Sequence, residues 1–224
     1  EQILTMWAAK RLNRTVTWTA VRNECFFCDG HARDHISSGE LALDNDGRFL
    51  AYRASNIANM GSHINGWGVQ IPTLIGNEVL TGPYDIPVAH ARVRCVLTNM
   101  VPVETYRGTG RAEVIYLLER LVDAAARELN LQPDELRRRN YIKPDQLPYR
   151  TVADQTYDSG NFTAVQQLAM FSADWVGIEK VSAGSQVRRI SSVTVLRSAR
   201  NQYALAECIH HSVTIPARLF EWNT

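Results

Sequence analysis

The sequence predicts an α+β fold. Three observations carry this. Period-two apolar patterns cluster in the first hundred residues. The strongest period-3.6 pattern follows them rather than alternating with them. An Asp-Asn-Asp-Gly turn joins two of the alternating runs.

Taken in order, residues 2–12 (QILTMWAAKRL) form a predicted helix with Ile3, Met6, Trp7 and Lys10 on one side. "TVTWTAV" (15–21) alternates Thr with Val, Trp and Ala and predicts a half-buried strand. Trp7 and Trp18 are expected in the core. Residues 39–61 predict a hairpin, with Asp44 to Gly47 as its turn. Residues 62–83, rich in Gly, Asn and Pro, predict an irregular loop, and "ARVRCVLTN" (91–99) a strand with Val93, Cys95 and Leu97 on one face. Val114, Leu117, Leu118, Leu121, Val122, Ala125 and Leu129 then mark a helix, with Glu119, Asp123 and Arg127 opposite. A second helix begins at Pro133, with Asp134 and Glu135 in its first turn and Arg137 to Arg139 in its last, where each charge suits the macrodipole. "KPDQLPYRT" (143–151) predicts a linker or domain boundary, and a further helix follows, capped by Ser159 or Asn161.

Composition excludes several classes. With 224 residues, 45% hydrophobic, 21% charged and a formal net charge of +1, the chain lacks the basic surplus of a general nucleic-acid binder. No apolar run approaches the roughly 20 residues of a membrane span. The start opens on Glu1 and carries its basic residues after the apolar stretch, unlike a signal peptide. Beginning inside a helix, it reads as a piece of a longer protein. Four cysteines in this length make no disulfide scaffold, so a reducing, cytoplasmic setting is expected.

Two stretches could carry chemistry. In "ETYRGTGRAEVIYLLERL" (104–121), Gly108 and Gly110 permit positive φ, the helix start attracts anions, and Arg107 and Arg111 add forked donors for phosphate or carboxylate. No third glycine completes a dinucleotide fingerprint, and no Gly-Lys-Ser/Thr completes a P-loop. The competing reading is a tight turn whose arginines pair with nearby acids. In "CFFCDGHARDH", Cys25, Cys28, His31 and His35 are all zinc-ligand types. Their spacing is too tight for an ordinary structural site, so semi-buried thiols and loop histidines without metal are expected. His63 and Trp67 could line a pocket, but solvated loop positions are the expected reading. No Ser/His/Asp set or carboxylate pair supports a hydrolase.

The order of segments says more than any motif. "LTMWAAKRLNRTVTWTAVRNE", "GHARDH", "LALDNDGRFLAYR", "GPYDIPVAHARVRCVLTNMVPVETYRGTGRAE", "YLLERLVDAAARELNLQPDELRRRNYI" and "YDSGNF" form a series over about residues 1–165. This series resembles the molybdenum-binding large subunit of the xanthine dehydrogenase/aldehyde oxidase family, particularly the carbon monoxide dehydrogenase large-chain branch. The resemblance implies that the fold is part of that subunit's molybdenum-binding domain. It implies a molybdopterin contact at Arg107, close backbone approach at Gly108 and Gly110, and Thr109 facing a substrate pocket. It also implies that Cys25 and Cys28 sit at a strand end and bind no metal. The cofactor would be molybdopterin, with the cytosine dinucleotide as an alternative form. Iron–sulfur clusters and FAD would sit on a small and a medium partner subunit. An aldehyde or N-heterocycle would be oxidised with water-derived oxygen.

Departures from the family are equally informative. Carbon monoxide dehydrogenases read Tyr-Arg-Cys-Ser-Phe-Arg at this loop, with copper on the cysteine. Here Gly108 follows Arg107, so carbon monoxide is not the expected substrate. The family's "GGGFG" loop would precede residue 1, and its glutamate base would lie far downstream, so no catalytic residue and no metal ligand is assigned in this chain. Residues 1–147 are expected to belong to a first molybdopterin-binding domain and 148–181 to the start of a second. Residues 182–224 are expected to be a divergent or frame-altered tail with low local order. The chain alone is expected to be catalytically silent. A non-catalytic binding or assembly module is the rival reading, and a small zinc protein a weaker third.

Overall fold

The computed structural model describes residues 1–175 and 177. Expectations for residues 182–224 lie outside the described residues. A three-stranded sheet of order β1-β2-β3 forms from β1 (His35–Leu43), β2 (Phe49–Asn59) and β3 (Ala89–Val96). β1 and β2 are the antiparallel hairpin, and β3 runs parallel to β2. The turn residue Asp44 accepts bonds at Oδ1 from the N–H groups of Asp46 (3.0 Å) and Arg48 (2.8 Å), the side-chain-to-backbone geometry that makes Asp a turn former.

Helix α3 (Arg111–Glu128) lies across the hairpin. Its stripe of Leu117, Leu118, Leu121, Val122, Ala125 and Ala126 is buried against Leu41, Phe49 and Tyr52 of the strands and against Leu80, Tyr84 and Ile86. Each such side chain removed from water stabilises by about 1.5–3 kcal/mol, which makes this cluster the main support of the fold. The face opposite the stripe meets α4 (Pro133–Asn140). Arg137 lies in the last turn of α4, as the sequence predicts, and also bridges two helices. Its Nε donates to Glu119 at 2.8 Å and its Nη2 to Asp123 at 2.8 Å, while the Tyr84 hydroxyl donates to the other Glu119 oxygen at 2.7 Å.

Asn140 ends α4 inside the protein. Its Oδ1 accepts from Phe49 N–H (2.7 Å) and its Nδ2 donates to the Gly47 (2.8 Å) and Leu136 (2.9 Å) carbonyls, which ties α4 to the hairpin turn. Beyond it, the expected linker is pinned rather than loose. Gln146 and Tyr149 both donate to Asp85, at 2.8 Å each. The short pair β4 (Tyr149–Arg150) and β5 (Thr156–Tyr157) leads to α5 (Phe162–Ser172). Asn161, not Ser159, caps α5 by accepting from Ala164 N–H at 2.9 Å.

Several expectations are corrected. Residues 15–21 form no strand, because no described strand offers its edge to them; a short helix, α2 (Arg22–Cys28), follows instead. Helix α1 (Gln2–Leu12) buries no residue, and Trp7 (59%) and Trp18 (48%) are exposed rather than in the core. Residues 62–83 are not wholly irregular. Short helical turns at Ile71–Ile75 and Asn77–Val79 bury Ile71 and Pro72. On β3, Val93 is half-buried and Cys95 exposed, and Leu97, just past the strand's end, is exposed.

Asn140→Ala should destabilise the protein by about 2–4 kcal/mol, since it leaves a buried N–H and a buried carbonyl without partners. Urea titration checks this; an unchanged midpoint would mean that the turn is not held by Asn140.

Candidate cofactor-binding loop

Residues 106–110 turn the chain into α3 through three consecutive left-handed residues: Gly108 (φ 93°), Thr109 (φ 41°) and Gly110 (φ 86°). Thr109 is β-branched and strained in that region, a conformation that persists only where surroundings impose it. Its N–H and Oγ1 both donate to the Tyr106 carbonyl, at 2.7 and 3.2 Å, and Arg111 N–H donates to the Gly108 carbonyl at 2.9 Å.

The two glycines have different reasons to be glycine. A Cβ on Gly110 would stand 2.3 Å from the Ile71 carbonyl oxygen, so the buried Gly110 backbone is wedged against the turn at Ile71–Gly76. A Cβ on Gly108 would meet nothing nearer than 3.6 Å, and Gly108 is exposed. Gly110 therefore fixes the loop from behind, while Gly108 presents open backbone in front.

The charges separate the two readings of this stretch. Arg111 makes a 3.6 Å ion pair with Glu78, with both side chains about half exposed, an interaction of little energetic weight. The exposed Arg107 guanidinium makes no ion pair or hydrogen bond among the described residues. Gly110 occupies the α3 N-cap with no side chain to satisfy the first-turn N–H groups. A free guanidinium, an open glycine backbone and an uncapped helix N-terminus converge here, a donor set suited to an anionic, oxygen-rich group.

The second stretch does not assemble. Cys25 and Cys28 lie on α2, not at a strand end. His31 bridges to Val103, and His35 opens β1 with its Nδ1 3.3 Å from Asn56 Nδ2. Burial lowers the His35 pKa against the opposing pull of Glu113 and Asp34, which favours a neutral ring. Among the described residues no group of three or more His, Cys, Asp or Glu could hold a metal ion. His63 is exposed beside Ser62, and Trp67 is 57% exposed. Sequence reading missed Arg33, which donates from Nη2 to the Arg107 carbonyl and stacks on Tyr106. In the sequence, "GHARDH" stands out for its histidines and as one segment of the family series, not for Arg33.

The fold is that of a cofactor-binding domain. Residues 1–141 match the family model described as the molybdopterin cofactor-binding domain, and the chain belongs to that family, the molybdenum hydroxylase large subunits. It is 35% identical over 169 residues to the carbon monoxide dehydrogenase large chain of Hydrogenophaga pseudoflava, covering 73% of this chain and 21% of that one. It is 33% identical over 165 residues to the 6-hydroxypseudooxynicotine dehydrogenase complex subunit gamma of Paenarthrobacter nicotinovorans, covering 72% and 20%. The crystal structure of quinoline 2-oxidoreductase from Pseudomonas putida 86 superposes with a TM-score of 0.76 at 31% identity, covering 82% of this chain and 23% of that one. The chain thus spans about a fifth of the length of these curated relatives.

Gly110→Ala should cost about 3 kcal/mol or more, through a steric clash on top of backbone strain, whereas Gly108→Ala should cost only the strain of about 1–2 kcal/mol. Paired denaturation curves check the order; equal losses would remove the distinction drawn between the two. The purified chain should hold no stoichiometric zinc. One zinc per chain by elemental analysis, lost in Cys28→Ser, would overturn the account of the cysteines.

Proposed function

We propose that this chain supplies the pterin-facing loop of a molybdenum hydroxylase large subunit that oxidises an aldehyde or N-heterocycle. The observation that carries the proposal is the Arg107 guanidinium, unpaired among the described residues, beside the open Gly108 backbone. The donor set fits a phosphate-bearing pterin, the cytosine dinucleotide form included. When bound, the cofactor supplies the redox chemistry, accepting two electrons from a substrate carbon that gains a water-derived oxygen.

The residues of this chain bind and orient. Arg107 holds an anionic oxygen of the cofactor through its fork, and Gly108 lets that group approach the main chain. Thr109, half-buried at the crest of the turn, faces the substrate side. Gly110 holds the crest in place from behind. The relatives named for quinoline and 6-hydroxypseudooxynicotine support an N-heterocycle or a related substrate, and Gly108 in place of a cysteine speaks against copper-dependent oxidation of carbon monoxide.

The match over residues 1–141 supports a first cofactor-binding domain over 1–147, with 148–181 opening a second. Iron–sulfur and FAD subunits would carry the electrons onward, in keeping with relatives named as subunits of complexes. No helix among the described residues is long and apolar enough to cross a membrane. The free thiols Cys25, Cys28 and Cys95 suit a reducing cytoplasm. The general base would come from another segment, so this chain alone would be silent with an artificial electron acceptor.

In the full-length enzyme, Arg107→Ala should reduce molybdenum and pterin retention by about ten- to a hundredfold in affinity, from loss of a charge-assisted fork of about 1.5–3 kcal/mol. Elemental analysis after gel filtration checks this; unchanged molybdenum content would assign Arg107 no part in cofactor binding.

A further inference from the structure

Arg33 lies 74 residues before Arg107, yet its Nη2 donates to the Arg107 carbonyl. Its guanidinium also lies over the Tyr106 ring, 4.8 Å from the centroid. The same Nη2 is 3.8 Å from where a Gly108 Cβ would stand. One side chain therefore touches Tyr106 and Arg107 and lies alongside Gly108. Arg33 reaches it from a left-handed backbone (φ 66°) that is unfavourable for arginine.

The strand of chain carrying Arg33 is itself fastened to the approach to the loop. His31 N–H donates to the Pro102 carbonyl at 3.2 Å, and Glu104 N–H donates to the His31 carbonyl at 2.8 Å. The contact at Gly30 is so close that a Cβ there would fall 2.2 Å from Glu104 Cγ. Residues 30–33 thus form a strap running beside residues 102–107 and ending in the Arg33 clamp.

We infer that Arg33 is a positioning residue: it fixes the Arg107–Gly108 peptide so that the Arg107 side chain faces the cofactor already oriented. The carbonyl bond sets the tilt of the 107–108 peptide, and the ring contact stops Tyr106 from swinging that peptide away. Pre-orientation matters because a long guanidinium side chain otherwise loses rotamer freedom on binding. Arg33 acts through Arg107 and touches no cofactor. This inference rests on the function proposed above for Arg107.

The bracing is tested without cofactor. Trypsin cleaves after Arg107, and its rate at that bond in the purified chain reports how firmly the loop is held. Arg33→Ala should speed cleavage there about tenfold, the combined worth of one hydrogen bond and one cation–π contact, with the urea midpoint unchanged. An unchanged rate, or one that rises only in step with lost global stability, overturns the inference and leaves the role of Arg107 intact. The orientation is tested in the full-length enzyme by molybdenum content. Arg33→Ala should lower it, and the double variant Arg33→Ala/Arg107→Ala should be no lower than Arg107→Ala alone. A double variant that falls by the product of the two single effects would mean that Arg33 binds the cofactor directly, contrary to the inference. If Arg107→Ala itself retains full molybdenum, the proposed function fails while the proteolysis result still stands.

Discussion

The carbonyl oxygen of Ile71 occupies the space a side chain at position 110 would need, and the loop's placement depends on that contact. It presses the start of α3 against the turn at Ile71–Gly76 so closely that only glycine fits. With Gly110 fixed there, the chain must climb through left-handed Gly108 and Thr109 to join the strand side, and this leaves Gly108 and Arg107 facing outward. Strain at Thr109, of order 1–3 kcal/mol, is held by the packing of Gly110 behind it and by the bonds of Thr109 to the Tyr106 carbonyl.

That packing comes from the core. The apolar stripe of α3 is buried on the hairpin, and α4 holds its opposite face through Arg137, bonded to Glu119 and Asp123. Asn140 then locks α4 to the hairpin turn. Rotating α3 would expose Leu118 and Val122 and break the Arg137 bridge together, so the helix has one seat and its N-terminus one position. The rigid part of the protein thus serves the short loop at its end.

Much of this was legible in the sequence because it is local. The hairpin announces itself by period-two runs and an Asp-rich turn, and α3 and α4 by helical spacing and end charges. What escaped is long-range. Residues 15–21 alternate like a strand, but a strand needs a neighbouring edge that no pattern within seven residues can supply. Trp7 and Trp18 are large and apolar, yet burial depends on a surface facing them, and the described residues bring none. Arg137 and Asn140 look like ordinary helix-end residues until α3 and the hairpin turn come into view. At the loop, the glycine and arginine pattern pointed to an anion site, but only the structure shows that Gly110 serves packing, that Arg111 has a partner and that Arg107 has none among the described residues. Arg33 was invisible because its partner lies 74 positions away.

The proposed site places the cofactor against residues 107–109. Anomalous diffraction at the molybdenum absorption edge from crystals of the full-length enzyme tests it directly. The account predicts a single strong peak on the open side of the loop, facing Gly108 and Thr109, with continuous pterin density reaching the Arg107 guanidinium. A peak elsewhere, with Arg107 turned to solvent or paired to a carboxylate from another segment, would contradict it.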